Sequence, residues 1–452
     1  LRSDGFSAAR DTTGQQSFDK EGFWQDNVLA NMGVQLNSRL LWKLRGVYSR
    51  YKTDLDWAAF TDEKDYTATN TMKLFGTGFE YTHAKGKLTL NYSVSSFNRL
   101  YLNDSTYTTS DEVYSKGTYG GVTHYAEIYH TWNAHKNFDL LTGVDFRTQN
   151  TNQSYLSYSE WGPYESTPIG KDTASTRLFS AYVTGLFHTK AGLSVEVGGR
   201  YNHHSLYGSN VTYSFNPSYL ISNRLKAFVN VSSGFRAPSL YQLYSPYGNK
   251  NLKPENSRSF EAGLQFFAPD GKSNIRALYF DRHIKNGIVY QSKSSYPYGV
   301  YANYDKQHDH GVEIEGQYQL GKLSLTANAT FVTGKITKQV SGHDTSYANL
   351  YRRPKSLVNA TIGYQITPKL FASATIRSVG QRPDQFYNSA TYQTEIVNLN
   401  AYHTLDIYAE YRINGMFRVY GDIRNLMDEQ YYDIYGYTTR GRNATIGVQV
   451  SF

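Results

Sequence analysis

The sequence contains no cysteine, which removes disulfide frameworks, thiolate metal sites and cysteine nucleophiles at once. It also lacks any apolar run long enough for a transmembrane helix, although a membrane barrel stays open because its strands hide their apolar face in alternation. There is no Gly-x-Ser-x-Gly elbow, and neither enzyme activity nor a catalytic cofactor is expected. The opening residues Leu1-Arg2-Ser3-Asp4-Gly5-Phe6 form no basic n-region or apolar h-region, so any signal peptide is expected to have been removed. Lysine and arginine give a net charge of +8 but are scattered, with no basic stretch. That pattern argues against nucleic acid and suits anionic lipid headgroups.

What is abundant is aromatic. There are 42 tyrosines and 23 phenylalanines against 4 methionines and 11 prolines, a balance that favours strands and interfacial girdles over helical cores. Period-two alternation recurs along the chain. In 193–201, Leu193, Val195, Val197 and Tyr201 oppose Ser194, Glu196 and Arg200; in 323–331, Leu323, Leu325, Ala327, Ala329 and Phe331 oppose Ser324, Thr326, Asn328 and Thr330. A soluble sandwich or propeller would alternate too, but here very short turns (Asn37-Ser38, Ala191-Gly192, Asp270-Gly271, Gly321-Lys322, Asn414-Gly415) take turns with long polar loops. This is the hairpin grammar of an outer-membrane barrel. The sequence thus predicts an all-β fold, a transmembrane antiparallel β-barrel of about 20 strands, with residues 1–452 as one domain. Its lumen face would carry Glu196, Arg200, Glu313, Glu315, Asp406, Glu410, Arg412, Arg418 and Asp422, too many charges for a small filled barrel and suited to a wide, hydrated or plugged one.

Two stretches carry a family likeness. Gly234-Phe-Arg-Ala-Pro-Ser-Leu-Tyr-Gln-Leu-Tyr244, followed by Tyr247-Gly-Asn-Lys-Asn-Leu-Lys-Pro-Glu255, reads as an ordered loop between two strands. Ile423-Arg-Asn-Leu-Met-Asp-Glu-Gln-Tyr431, Tyr435-Gly-Tyr-Thr-Thr-Arg-Gly-Arg442 and Ala444-Thr-Ile-Gly-Val-Gln-Val-Ser-Phe452 read as a strand, a loop and a last strand. Both resemble the barrel of TonB-dependent outer-membrane transporters, and Arg352-Arg-Pro-Lys355 has the same look. Within that superfamily the chain looks most like the cobalamin transporters. The resemblance implies a Gram-negative outer-membrane location, active uptake of a scarce bulky nutrient such as cobalamin or another corrinoid, and a total of 22 strands. It further implies a plug domain, absent from this sequence together with the first strands and expected elsewhere, and TonB acting through that plug. A surface lipoprotein over the loops and lipopolysaccharide are further expected partners. Iron-siderophore or haem uptake and a passive porin are the alternatives.

Candidate sites follow. Tyr241, Tyr244, Tyr247, Asn249, Tyr296, Tyr298, Tyr301, Tyr387 and Tyr392 stand at loop tips, where amphipathic rings could form a ligand vestibule or an outer girdle. Asp54, Asp56, Asp62, Asp65, Asp104 and Asp111 in the first long loops could supply calcium with oxygens, as the resemblance to cobalamin transporters implies. His308 and His310 share a strand face and could both point inward, but two ligands do not make a closed zinc site.

Overall fold

The computed structural model describes residues 1–12, 18–104, 112–293, 299–340, 343–347, 351–388, 391 and 393–451. Among the described residues, twenty-two strands share one antiparallel sheet. It runs from Arg2–Ser3 on Phe23–Asn37, neighbour by neighbour along the chain, to Phe417–Arg424 on Asn443–Val450. Short strands Gly162–Glu165 and His343–Tyr347 lengthen their neighbours, and Arg382–Asn388 with Gln393–Leu399 forms a separate hairpin. The expected antiparallel wall of about 20 strands is therefore present. Its first strand is short, pairing only at Arg2 and Ser3.

The short turns collect at one end of the wall. Gly271 and Gly321 sit there with positive φ, 65° and 55°, the backbone that tight hairpins ask of glycine. Alternation then sorts the two faces. Val197 pairs with Phe215 and Tyr201 with Val211, all exposed apolar side chains on the outer face, as lipid contact requires. Their polar neighbours line the inside and pair with one another: Asn216 Nδ2 donates to Glu196 (2.9 Å), Arg200 to Asp145 (2.5 Å), Arg276 to Glu315 (3.0 Å) and Arg418 to Glu410 (2.7 Å).

The wall is tall. Glu112–His135 has 24 residues and Gly299–Leu320 has 22, whereas about ten tilted residues cross a bilayer. Roughly half of each such strand stands above the lipid belt on the long-loop side. There the stretch 8–10 reaches the last long loop: Ala9 bridges Tyr437, Arg10 N donates to Gly436 O (2.9 Å) and Thr438 N to Ala8 O (2.7 Å). The N-terminal stretch is thereby tied to the loop that precedes the final strand.

The histidine expectation is corrected by the same parity. His308 and His310 belong with Val312 and Ile314, which face outward, while the inward residue between them is Asp309. Asp309 is fully buried, accepting from Arg282 Nη2 (2.7 Å) and from Gln307 Nε2 on both oxygens, with Arg353 at 3.6 Å.

Candidate functional site

The loop after Arg236 does not wander: Leu240–Tyr244 is a short helix. Ser239 caps it, accepting from Gln242 N (3.2 Å) while Gln242 Oε1 accepts from Ser239 N (2.9 Å), a reciprocal capping box. Buried Leu240 and Leu243 pin one side of the turn, so Tyr241 is presented to its aromatic neighbours.

Those neighbours form a continuous chain of rings. Tyr241 meets Tyr119 (6.4 Å between centroids) and, edge to face, Tyr301 (6.1 Å). Tyr301 meets Tyr290 and Tyr290 meets Tyr247, each at 5.6 Å. In the other direction Tyr119 meets Tyr101 (6.0 Å), Tyr101 meets Tyr66 (6.2 Å) and Tyr66 meets Trp57 (6.1 Å). One main-chain and one side-chain bond hold the loop to the strand: Tyr301 N donates to Tyr247 O and Asn249 Nδ2 to Tyr301 O, both at 3.0 Å. Tyr244 carries Lys250 Nζ over its face at 5.3 Å. Burial pushes the Tyr241 phenol up to about 12, so it remains a protonated hydrogen-bond donor at any physiological pH.

Tyr241, Tyr244, Tyr247, Asn249 and Tyr301 are thus brought together. Tyr387 is not among them. It sits on the separate hairpin, beside a second cluster in which Phe386 meets Tyr435 (4.7 Å) and Phe60 meets both Tyr435 (5.1 Å) and Phe386 (6.4 Å). Tyr296, Tyr298 and Tyr392 lie outside the described residues. Trp57, Tyr66, Tyr101, Tyr119 and Tyr290 were missed by reading loop tips alone; the available signal was a tyrosine near the long-loop end of a wall strand.

The hairpin has a firm anchor. Asp384 is fully buried and accepts from Arg352 Nε (2.5 Å), Tyr435 N (2.7 Å) and Gln385 N (2.7 Å). Arg382 Nη2 donates to Asp433 (3.0 Å), and its guanidinium lies over Tyr402, whose ring stacks on Tyr431 at 3.8 Å. Asp384 is therefore the joint between this hairpin and the last long loop, and Arg352, singled out in the Arg-Arg-Pro-Lys stretch, ties the hairpin to that stretch.

The acidic residues divide similarly. Carboxylate oxygens of Asp19, Glu21, Asp56 and Asp62 lie within 4.8 Å of one another. Asp54, Asp65 and Asp104 are not in that group, and Asp111 lies outside the described residues. Asp56 accepts from Ala9 N and Glu63 N, and Asp62 from Asp19 N (3.1 Å). Asp19 Oδ1 and Glu21 Oε1 are shielded from solvent, with no hydrogen-bond donor opposite among the described residues. Burial, with Asp62 beside it, pushes Asp19 up to about 6; burial, with the charge of Asp56, pushes Glu21 up to about 8; burial likewise raises Asp56.

Comparison with known proteins follows the same architecture. Residues 3–426 match the family described as TonB dependent receptor-like, beta-barrel. Among solved structures, the ferripyoverdine receptor of the outer membrane of Pseudomonas aeruginosa aligns with a TM-score of 0.75 at 17% identity, over 96% of this chain and 65% of that one. A copper transporter, OprC, aligns with a TM-score of 0.78 at 15% identity, over 100% of this chain and 74% of that one. The ferric-catecholate import receptor Fiu from K12 E. coli aligns with a TM-score of 0.76 at 14% identity, over 99% and 76%. At these identities the alignments establish the fold, and the chain spans about 65% of the length of the ferripyoverdine receptor. With the family match covering most of the wall, the long-loop end is extracellular, and the chain belongs to the TonB-dependent receptor β-barrels of the outer membrane.

Proposed function

We propose that this barrel is the passage of a TonB-dependent importer whose ligand is a bulky, conjugated, anionic metal chelate of the ferric-siderophore class. The observation that carries the reading is the unbroken chain of rings from Trp57 to Tyr247 at the mouth. Aromatic faces bury flat ligand surface while phenols hydrogen-bond its oxygens. Cations above the rings, Lys250 over Tyr244 and Arg10 over Tyr432 (4.8 Å), suit a negatively charged guest. The names of structural neighbours, which include ferripyoverdine, ferric-catecholate and copper proteins, point in the same direction. A plug segment filling the polar lumen and TonB acting on that plug would gate passage; a surface lipoprotein over the loops and lipopolysaccharide around the wall complete the proposed partners. The barrel itself does no bond chemistry.

Equilibrium binding to the full-length protein, followed by its own fluorescence, tests this against a panel of ferric catecholate and hydroxamate chelates, haem and cyanocobalamin. Tight binding of a ferric chelate is expected. Binding of cyanocobalamin alone would replace the siderophore reading with a corrinoid one, and plug-independent, salt-dependent conductance in planar bilayers would favour a porin.

Cobalamin is the second reading, favoured by the carboxylate cluster, because the likeness to cobalamin transporters implies calcium in the early loops. The donors fit a hard cation: all are oxygens, and two lack any donor opposite among the described residues. Asp19, Glu21, Asp56 and Asp62 would hold the ion, whose charge would take the place of the protons the cluster otherwise needs. The sign follows from the raised values. Without calcium, these groups favour the folded loops below the ordinary carboxylate range, and that contribution is lost as pH rises through about 6 and 8. Calcium stabilisation grows over the same window, since binding requires the deprotonated forms. Hydrogen exchange of segments 18–22 and 55–65, corrected for intrinsic rates, is expected to quicken between pH 5.5 and 8 in chelator and to slow on adding calcium. Protection that is constant with pH in chelator would overturn the proposal.

A further inference from the structure

We propose a borderline-soft divalent metal site, of the zinc class, on the outer wall of the barrel at Asp281, His283 and His308. It is independent of the ligand reading and remote from the mouth carboxylates in its chemistry. The two strands Asn274–Ser292 and Gly299–Leu320 pair His283 with His308 and Asp281 with His310, so period two puts all four side chains on one face. That face is the outer one, continuous with Tyr279, Val312 and Ile314 of the apolar belt. Between the group and the short turn at Gly321 lie the residues from Gly311 to Leu320, about the ten that cross a bilayer, which puts it at the upper edge of this belt.

Its geometry suits an ion. One donor atom from each of Asp281, His283 and His308 lies within 4.8 Å of the other two. Asp281 receives both rings, with His308 Nε2 2.7 Å from Oδ2 and His283 Nδ1 3.0 Å from Oδ1. The rings stack at 4.1 Å with 14° between their planes, which aims both nitrogens at the same carboxylate. Tetrahedral zinc with bonds of about 2.0–2.1 Å separates its ligand atoms by roughly 3.3 Å, so side-chain adjustments of about an ångström complete the set. Two further observations point to a ligand. The His310 ring stands 5.1 Å from that of His308 and its Nδ1 is shielded from solvent without a hydrogen-bond partner among the described residues; the Tyr279 hydroxyl approaches Asp281 Oδ2 at 3.5 Å, the position of an outer-shell group.

The donor set selects the ion. Two imidazoles and a carboxylate suit zinc, copper or nickel and disfavour calcium or magnesium. Three protein donors also leave an open position, to be taken by water, His310 or an anionic headgroup.

The test is competition between the untagged full-length protein and a chromophoric zinc indicator, in detergent, with excess calcium present so that the mouth carboxylates are not read. Wild type is expected to withhold one zinc ion that the double variant His283→Ala/His308→Ala releases, with Asp281→Asn binding at least ~10-fold more weakly. The outward pair His83 and His130, whose Nε2 atoms are 2.9 Å apart, provides the control: His83→Ala/His130→Ala should retain the ion. Copper-loaded protein should show nitrogen hyperfine structure in its paramagnetic resonance spectrum that His308→Ala diminishes, with circular dichroism verifying the fold of each variant. Equal zinc binding by wild type and the His283/His308 variant, or loss in the control pair instead, would overturn the site.

Discussion

Tyr241→Ala is expected to weaken ligand capture by roughly 10- to 100-fold while leaving the barrel intact. The side chain sits at the centre of the ring chain, touching Tyr119 on one side and Tyr301 on the other. Each aromatic pair contributes about 0.5–1.5 kcal/mol beyond buried area, so losing both removes about 1–3 kcal/mol from the bound shape of the vestibule, a range that brackets 10- to 100-fold in affinity. Tyr241→Phe separates the contributions: it keeps the ring contacts and deletes only the hydroxyl. Tyr387→Ala is the comparison, since that residue lies outside the chain and is exposed. Titrations in which both alanine variants weaken binding equally would show that the chain of rings is not the vestibule.

The second large effect is expected at Asp384. Its carboxylate satisfies Arg352 and the backbone N–H groups of Gln385 and Tyr435, so Asp384→Ala leaves three donors unmatched in one place. The cost should be about 3 kcal/mol, the low end for breaking a buried pair, because Arg352 keeps access to water. The loss should be local. Exchange of amides in 382–388 and 431–442 should quicken sharply while the wall strands stay protected. In a double-mutant cycle, adding Arg352→Ala to Asp384→Ala should cost clearly less than the sum of the two. Additive losses would mean that the two residues support the loops separately.

These side chains also mark where sequence reading succeeded and stopped. The wall was legible because lipid on one side and water on the other impose strict alternation, as in 193–201 and 323–331, and the short turns fix the phase. Above the belt both faces meet water or protein, so alternation carries no information. The upper parts of Asn274–Ser292 and Gly299–Leu320, and the hairpin at Arg382, accordingly carry no strand signal in the sequence. The helix at Leu240 had a readable signal, Ser239 with Gln242 three residues on, but Pro238 and Pro246 on either side obscured it. Asp56 and Asp62 were legible as acidic loop residues, whereas their neighbours Asp19 and Glu21 come from a different connection, and only the fold brings them together. Parity placed His308 and His310 on a common face; deciding which face required following the alternation down to Val312 and Ile314.

The tie between the two ends of the wall has a kinetic consequence. Thr438 Oγ1 donates to Ala9 O at 3.2 Å across 429 residues of sequence, whereas most wall contacts join strands a hairpin apart. Contacts of such separation form late, because closing a long loop costs chain entropy before any bond repays it. Hairpins can therefore zip one after another from either side, but this junction waits for the last of them. The stretch 436–438 is thus a latch thrown at the end of assembly, and slowing its engagement would delay docking of the N-terminal stretch on the last long loop without altering the strands themselves.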